Sequence, residues 1–318
     1  MRVSVTPERR FTLLVNPAAG GGRGHRTAGQ VERHLRALGA DVRVLAAGSL
    51  EQSEDWAHEA VAADPSPEHC LVAVGGDGTV HGAVQAVAES PVLLGVVPAG
   101  SGDDAARAWG VPRGDPVAAA EVLLQVSPVP VDLGCAVSAD GGVRWFATVL
   151  ATGFDARVTE RSLSMMGRPG LLRYVGAVAA ELRTLRPLHY RLVVDGHAEH
   201  LDAMLVSVAN GPSFGGGMKV CPTADPLDGK VELFILHPLR RADFVRVFPR
   251  VYTGSHLSHP AVEVRRVSEV LVDGPDVVAY VDGERVGPLP QTMSARPGAA
   301  RVLTPAVPPP PVRAEGLG

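Results

Sequence analysis

Gly75-Gly76-Asp77-Gly78-Thr79 combines three backbone-permissive glycines, one carboxylate and one hydroxyl in five positions. An apolar run, residues 70–74, reads as a buried strand, and Val80, Ala83, Val84 and Val87 recur at helical spacing behind it. The stretch is therefore a strand-to-helix turn. Thr79 is expected to cap the helix, with Asp77 just ahead of its positive end. Glycines let a backbone approach a ligand closely, and the N–H groups of a new helix bind phosphate. A carboxylate there repels anions unless a divalent cation or a transferable proton lies between, so the stretch suggests a nucleotide held with Mg²⁺. The plainer alternative is a tight turn in any α/β protein.

Two further loops carry related chemistry. Asn16-Pro17-Ala18-Ala19-Gly20-Gly21-Gly22-Arg23-Gly24 follows a strand over residues 11–15, and Pro98 to Arg107 follows a strand over 92–97. Helices are expected after each loop, the first with Val31, Leu35 and Leu38 on one face, and a further strand and helix at 41–45 and 53–63. Strand and helix alternate to about residue 125, which predicts a parallel sheet whose carboxyl edge collects the loops at 16–24, 75–79 and 98–103. Neither GxGxxG nor GxxxxGK[ST] is present.

Beyond Pro128-Val129-Pro130 the pattern changes to short apolar or alternating segments at 131–137, 143–149, 190–194, 204–209, 231–236, 261–267, 270–272 and 277–281. Asp-Gly turns separate several of them, predicting an antiparallel β-sandwich interrupted by helices over 170–186 and 240–252. The fold class is thus α/β: a Rossmann-like parallel domain followed by an antiparallel β-sandwich, with a cleft between them. The boundaries are 1–128 for the first domain, with 300–305 returning to it, 129–299 for the second, and a Pro-rich loose tail over 306–318.

Two stretches of the second domain bear chemistry. In the block from Gly215-Gly216-Gly217 to Asp228-Gly229-Lys230, Asp225 and Asp228 with nearby carbonyls could take a hard cation, or form an ordinary hairpin turn. Glu284, after Asp282-Gly283, is either an exposed hairpin residue or, if the turn faces the first domain, a general base. Residues 168–178 mix arginines with apolar side chains, suiting either a bilayer surface or a core-packed helix.

The chain has 318 residues, 46% hydrophobic and 20% charged, which suits two globular domains with aliphatic cores. A net charge of −4 gives no case for a nucleic-acid partner. Three scattered cysteines argue for a reducing compartment and against a disulfide framework or zinc site. The N-terminus does not read as a signal peptide, and no apolar stretch reaches transmembrane length.

Together these segments resemble the soluble diacylglycerol kinase-type lipid kinases, the family that includes sphingosine and ceramide kinases. The resemblance rests on Asn16 to Gly20, Gly75 to Thr79, Pro98 to Arg107, Gly153-Phe154-Asp155-Ala156, the glycine block to Asp228-Gly229, and Asp282-Gly283-Glu284. It spans residues 11 to about 303. It implies an ATP- and Mg²⁺-dependent kinase acting on the hydroxyl of diacylglycerol or a related lipid alcohol in phospholipid biosynthesis. It further implies a cytoplasmic enzyme, peripheral to the inner face of the membrane, with transient contact to its surface; a homodimer stays open. By position, Asn16, Gly20 and Arg23 border the nucleotide, while Gly75, Gly76, Asp77, Gly78, Thr79 and Ser101 meet its phosphates or ribose. Asp77 lies near Mg²⁺, Asp104 and Arg107 join the polar network, and Glu284 accepts the acceptor's proton. Asp225, Asp228 and Lys230 match a separate magnesium site, with a carboxylate from Asp228 and main-chain carbonyls from the others. Two departures are Asp103, where the family usually has asparagine, and Ala46-Ala47, where a threonine is expected near the adenosine. An NAD kinase and a non-catalytic nucleotide- or lipid-binding regulator are the alternative readings.

Overall fold

The computed structural model describes residues 9–165, 170–274 and 277–305, with side chains throughout except at 163 and 170–175. The expectations for the basic segment at 168–178 fall largely outside these residues, and those for the N-terminus and the tail from 306 entirely so. The chain forms two compact units. Among the described residues one comprises 9–133, Pro226–Asp228 and 296–305; the other comprises Gly134–Asp225 and Gly229–Ala295.

The first unit alternates β1 (Arg10–Val15), α1 (Ala19–Ala37), β2 (Asp41–Ala46), α2 (Leu50–Ala63), β3 (His69–Gly75), α3 (Asp77–Val87) and β4 (Leu93–Pro98), then α4 (Asp104–Ala108) and α5 (Pro116–Gln125). Its strands lie in the parallel order β2-β1-β3-β4. Central β3 is buried at every position, as expected of a strand covered on both faces. Phe11, Leu13, Val31, Leu35, Val72, Val74, Val97 and Leu123 form its core. Leu38, expected on the buried face of α1, is 44% exposed, because the helix ends at Ala37 and Leu38 is its C-cap.

The second unit begins within β5 (Pro128–Ser138). It continues through β6 (Val143–Phe146), β7 (Val149–Ala151), α6 (Phe154–Ser164), α7 (Gly170–Glu181), β8 (Leu188–Val194), β9 (His197–Ala203), β10 (Leu205–Ala209), β11 (Val231–Leu236) and α8 (Arg241–Val247). It closes with β12 (Val262–Val267), β13 (Glu269–Asp273), β14 (Val278–Val281), β15 (Glu284–Pro288) and the long β16 (Gln291–Leu303). One antiparallel sheet runs β12-β11-β10-β7-β14-β15. The start of β16 pairs with β13, and β13 with β8 and β8 with β9, all antiparallel. Val206, Leu233 and Val281 of the first layer pack with Tyr190, Leu192, Val270 and Met293 of the second in one core. This is a sandwich. The far end of β16 lies parallel to β4, Arg301 opposite Leu93 and Val302 opposite Leu94.

Candidate active site

In the first unit the loops after β1, β3 and β4 are held against one another by backbone contacts that only small residues permit. A Cβ on Gly20 would lie 2.3 Å from the Ala99 carbonyl oxygen, and one on Gly100 would lie 2.5 Å from Gly76 Cα. Gly20, Gly21 and Gly22 all have left-handed backbones, and the latter two face open space. Asn16 N–H donates to the Val74 carbonyl (3.1 Å), and Ala99 N–H donates to the Gly75 carbonyl (2.8 Å). Arg23 then spans two loops, donating from Nε to the Gly20 carbonyl and from Nη2 to the Gly100 carbonyl, both at 3.0 Å.

The turn after β3 differs from its sequence reading. Gly76 is the N-cap of α3 and Asp77 its first residue, so Thr79 lies inside the first turn rather than capping it. Thr79 is 1% exposed, its Oγ1 has no hydrogen-bond partner among the described residues, and it sits where a Gly75 Cβ would be, 2.2 Å away. Asp77 turns toward the next loop instead: its Oδ1 accepts from the N–H groups of Asp104 (2.7 Å) and Ala105 (3.4 Å). Burial, reinforced by the Asp104 and Asp103 charges, pushes its carboxyl up to about 7.

Asp103 adopts a left-handed backbone (φ 52°), which Asp and Asn tolerate better than most residues, and accepts the Gly100 N–H at 2.9 Å. Burial raises its pKa, opposed by that hydrogen bond and by the Arg113 and Arg23 charges. Arg107 donates to the Gly102 carbonyl at 3.1 Å and lies 3.8 Å from the Asp104 carboxylate. Gly78 is half-buried in the first turn of α3, and Ser101 is exposed. The structure thus gathers Asn16, Gly20, Arg23, Gly75 to Thr79, Ser101, Asp104 and Arg107 at one carboxyl edge.

These residues fit a nucleotide's phosphates. The glycines form a cradle that a Cβ would fill, and Thr79 supplies an unpaired buried hydroxyl. Among the described residues no cluster of three His, Cys, Asp or Glu could hold a metal by itself. Mg²⁺ is normally held by one or two carboxylates together with phosphate oxygens and water, a set to which Asp77 can contribute.

In the second unit Glu284 opens β15 opposite Val281, half-buried, after the tight turn Asp282-Gly283. Asp225, Asp228 and Lys230 are half-buried, and Lys230 Nζ donates to Ser268 Oγ at 2.5 Å. The division into units separates Asp228 from the other two.

A cavity that the sequence did not disclose lies within this unit, with about 630 Å³ not filled by protein, part of it open to solvent. Twelve of its fifteen lining residues are apolar, and Asp155, Ser207 and His256 are the polar ones. Phe244 meets Phe154 edge-on at 4.8 Å and stacks on Phe248 at 5.7 Å. Ser207 Oγ is buried without a hydrogen-bond partner among the described residues. Part of Asp155 reaches solvent, yet the packing around its carboxyl pushes it up to about 6. Burial lowers the His256 pKa, so the imidazole is neutral at pH 7. Phe244, Val247, Phe248 and Val251 do announce an apolar helical face, but periodicity cannot tell a face over a core from one over a cavity.

Residues 10–136 match the model for the diacylglycerol kinase catalytic domain, and residues 148–304 match that for the YegS C-terminal NAD kinase beta sandwich-like domain. Fold and sequence together define a phosphotransferase of the kinase class, with ATP as the co-substrate its family implies. A diacylglycerol kinase of Mycobacterium tuberculosis (strain CDC 1551 / Oshkosh) is 37% identical over 297 residues, covering 93% of this chain and 95% of that one. The chain belongs to the diacylglycerol kinase family of lipid kinases. A diacylglycerol kinase of Bacillus subtilis (strain 168) is 28% identical over 289 residues, 89% of this chain and 92% of its own. The fold is shared with a crystal structure of a diacylglycerol kinase from Bacillus anthracis at a TM-score of 0.70 and 20% identity, covering 95% of this chain and 98% of that one.

Proposed function

We propose that this kinase transfers the γ-phosphoryl group of ATP, with Mg²⁺, to the hydroxyl of diacylglycerol or a related lipid alcohol. The observation that carries the choice of a lipid is the apolar cavity of the second unit. Burying a methylene stabilises by about 0.8 kcal/mol, so walls of Phe, Leu, Met and Val side chains favour an acyl chain and offer a polar dinucleotide little.

The first unit's glycine cradle and the Arg23 clamp would orient the nucleotide phosphates, and Asp77 would face the cation. Bound there, Mg²⁺ neutralises phosphate charge. Glu284 would accept the proton of the attacking hydroxyl, a role worth about 10²- to 10⁴-fold in general base catalysis. Asp225, Asp228 and Lys230 are proposed as a second, structural cation site built from a carboxylate and carbonyls. An acceptor that resides in a bilayer requires the enzyme to visit the membrane surface, from the cytoplasmic side on this reading. Among the described residues no helix is long and apolar enough to cross a membrane.

The test is a transfer assay with labelled ATP offered diacylglycerol, sphingosine, a polyprenol and NAD separately, with and without Mg²⁺. Label is expected in a lipid alcohol and only with Mg²⁺. Label in NAD would overturn the lipid reading, and transfer undiminished by a chelator would remove Mg²⁺ from it.

A further inference from the structure

Asp282 makes more bonds than its turn requires. It occupies the first position of the two-residue loop between β14 and β15, with a left-handed backbone (φ 50°), and Gly283 follows at φ 93°. Asparagine or glycine would satisfy that geometry equally well. The carboxylate, however, reaches across to the segment leading into β7. Oδ2 accepts the Ala147 N–H at 2.9 Å. Oδ1 accepts the Thr148 N–H at 2.9 Å, the Thr148 hydroxyl at 2.6 Å and, more weakly, the Val149 N–H at 3.4 Å. The Asp282 N–H in turn donates to the Val149 carbonyl at 3.0 Å.

That segment is itself fixed from its other side. The Asn210 and Gly211 N–H groups donate to the Thr148 carbonyl at 2.8 and 3.0 Å, and Asn210 Nδ2 donates to the Ala147 carbonyl at 3.1 Å. A chain of bonds therefore runs from Asn210 through Thr148 to Asp282. It ends two residues short of Glu284. Charge-assisted bonds from a carboxylate to backbone N–H groups are the stronger kind, and both oxygens must accept, which an amide cannot do.

We propose that Asp282 is a positioning residue: its clamp on Ala147-Thr148-Val149 fixes the turn from which Glu284 acts on the acceptor hydroxyl. The proposal rests on the reading of Glu284 as the base. The same fold supplies a control. Asp195, in the left-handed position of the β8–β9 turn, accepts from the Ser268 and Glu269 N–H groups, both at 3.0 Å, and its own N–H donates to the Glu269 carbonyl. It clamps through Oδ1 alone, at a turn that carries no candidate base.

The experiment compares Asp282→Asn, Asp195→Ala, Glu284→Gln and the double variant Asp282→Asn/Glu284→Gln, in the full chain, for kcat, the KM of ATP and thermal midpoint. In Asp282→Asn the amide nitrogen faces the Ala147 N–H. Its kcat should fall about 10- to 100-fold, the scale of an ångström-sized misplacement, with the KM of ATP unchanged. Asp195→Ala, which leaves the Ser268 and Glu269 N–H groups without that acceptor, should lower the thermal midpoint and keep its rate; alanine is needed there because an amide oxygen would retain both bonds. Added to Glu284→Gln, Asp282→Asn should cost no further rate, since the group it positions is already gone. Equal rates for Asp282→Asn and wild type, or a full additional loss in the double variant, would overturn the proposal. A wild-type rate in Glu284→Gln would instead overturn the base reading and take this proposal with it. Should Asp282→Asn fail to fold, Thr148→Val and Thr148→Ser decide. Loss of rate in the first, which lacks the hydroxyl, and retention in the second support the clamp, while equal rates in both overturn it.

Discussion

A carboxylate whose pKa is raised by folding makes the protein's stability depend on pH with a definite sign. Asp77 binds its proton more tightly in the folded chain, at about 7 against 3.8 for the free side chain. Its contribution is therefore fully present below about pH 4 and is lost as the pH rises through about 7. In a metal-free protein, Asp77→Asn should raise the thermal midpoint at pH 8 and change it little at pH 4, because an amide can still accept the Asp104 N–H. Mg²⁺ with ATP should stabilise wild type at pH 8 and stabilise the variant much less. A variant that matches wild type at both pH values, with equal protection by Mg²⁺-ATP, would remove Asp77 from the phosphate site. Asp103 gives a second test. Its carboxylate lies in the loop after β4 among the glycine loops, and Asn could keep both the left-handed backbone and the bond from Gly100. Removing one anion near a polyphosphate relieves repulsion of about 1 kcal/mol, so Asp103→Asn should lower the KM of ATP about fivefold. An unchanged or higher KM would show that Arg23 and Arg113 already neutralise it.

At the scale of elements, legibility in the sequence followed how far local pattern is decided by burial. Strands β3, β4 and β11 are buried along their whole length and stand out as apolar runs. Strand β9, His197-Ala198-Glu199-His200-Leu201-Asp202-Ala203, is obscure in the sequence because among the described residues it pairs only with β8 and carries polar side chains on its open face. The helix α6 after Gly153 was hidden by its charged residues, and β16 was visible only at its end, since Arg296, Pro297 and Gly298 interrupt the pattern. The glycine loops were legible because close backbone approach demands glycine whatever surrounds it. The cavity was not, because it arises where α8 and the 3₁₀ turn Phe248–Tyr252 stand off from β10 and β11. If it takes an acyl chain, kcat/KM should fall about tenfold when the acceptor's chain is shortened by two methylenes. Leu239, half-buried on the cavity wall, allows a direct check. Leu239→Trp should reduce turnover of long-chain acceptors more than of short ones while leaving the KM of ATP alone. Loss on every acceptor alike would mean that the cavity does not hold the chain.

Across the whole molecule, the chain returns twice to its first unit after leaving it, and a buried aspartate joins the returning pieces. Asp132, 5% exposed near the end of the unit's first segment, accepts the Gly298 N–H at 2.8 Å. Its own N–H donates to the Pro226 carbonyl, also at 2.8 Å. Three stretches far apart in sequence thus meet at one residue, just past the boundary at 128 that composition suggests. The end of β16 then covers the flank of β4, where Leu93 and Leu94 are almost completely buried. Residues 1–128 alone would leave β4 an open apolar edge, the kind that pairs with other chains. They should accordingly associate. In the full chain, Asp132→Ala leaves the Gly298 N–H without that acceptor, at a cost of about 1 to 3 kcal/mol. The denaturation midpoint should drop, and because the substitution touches neither glycine loops nor cavity, the KM values for ATP and lipid measured well below that midpoint should hold. A midpoint equal to wild type would mean that the returning segments dock through β16 alone, and a changed KM for ATP would mean that their docking also shapes the nucleotide loops.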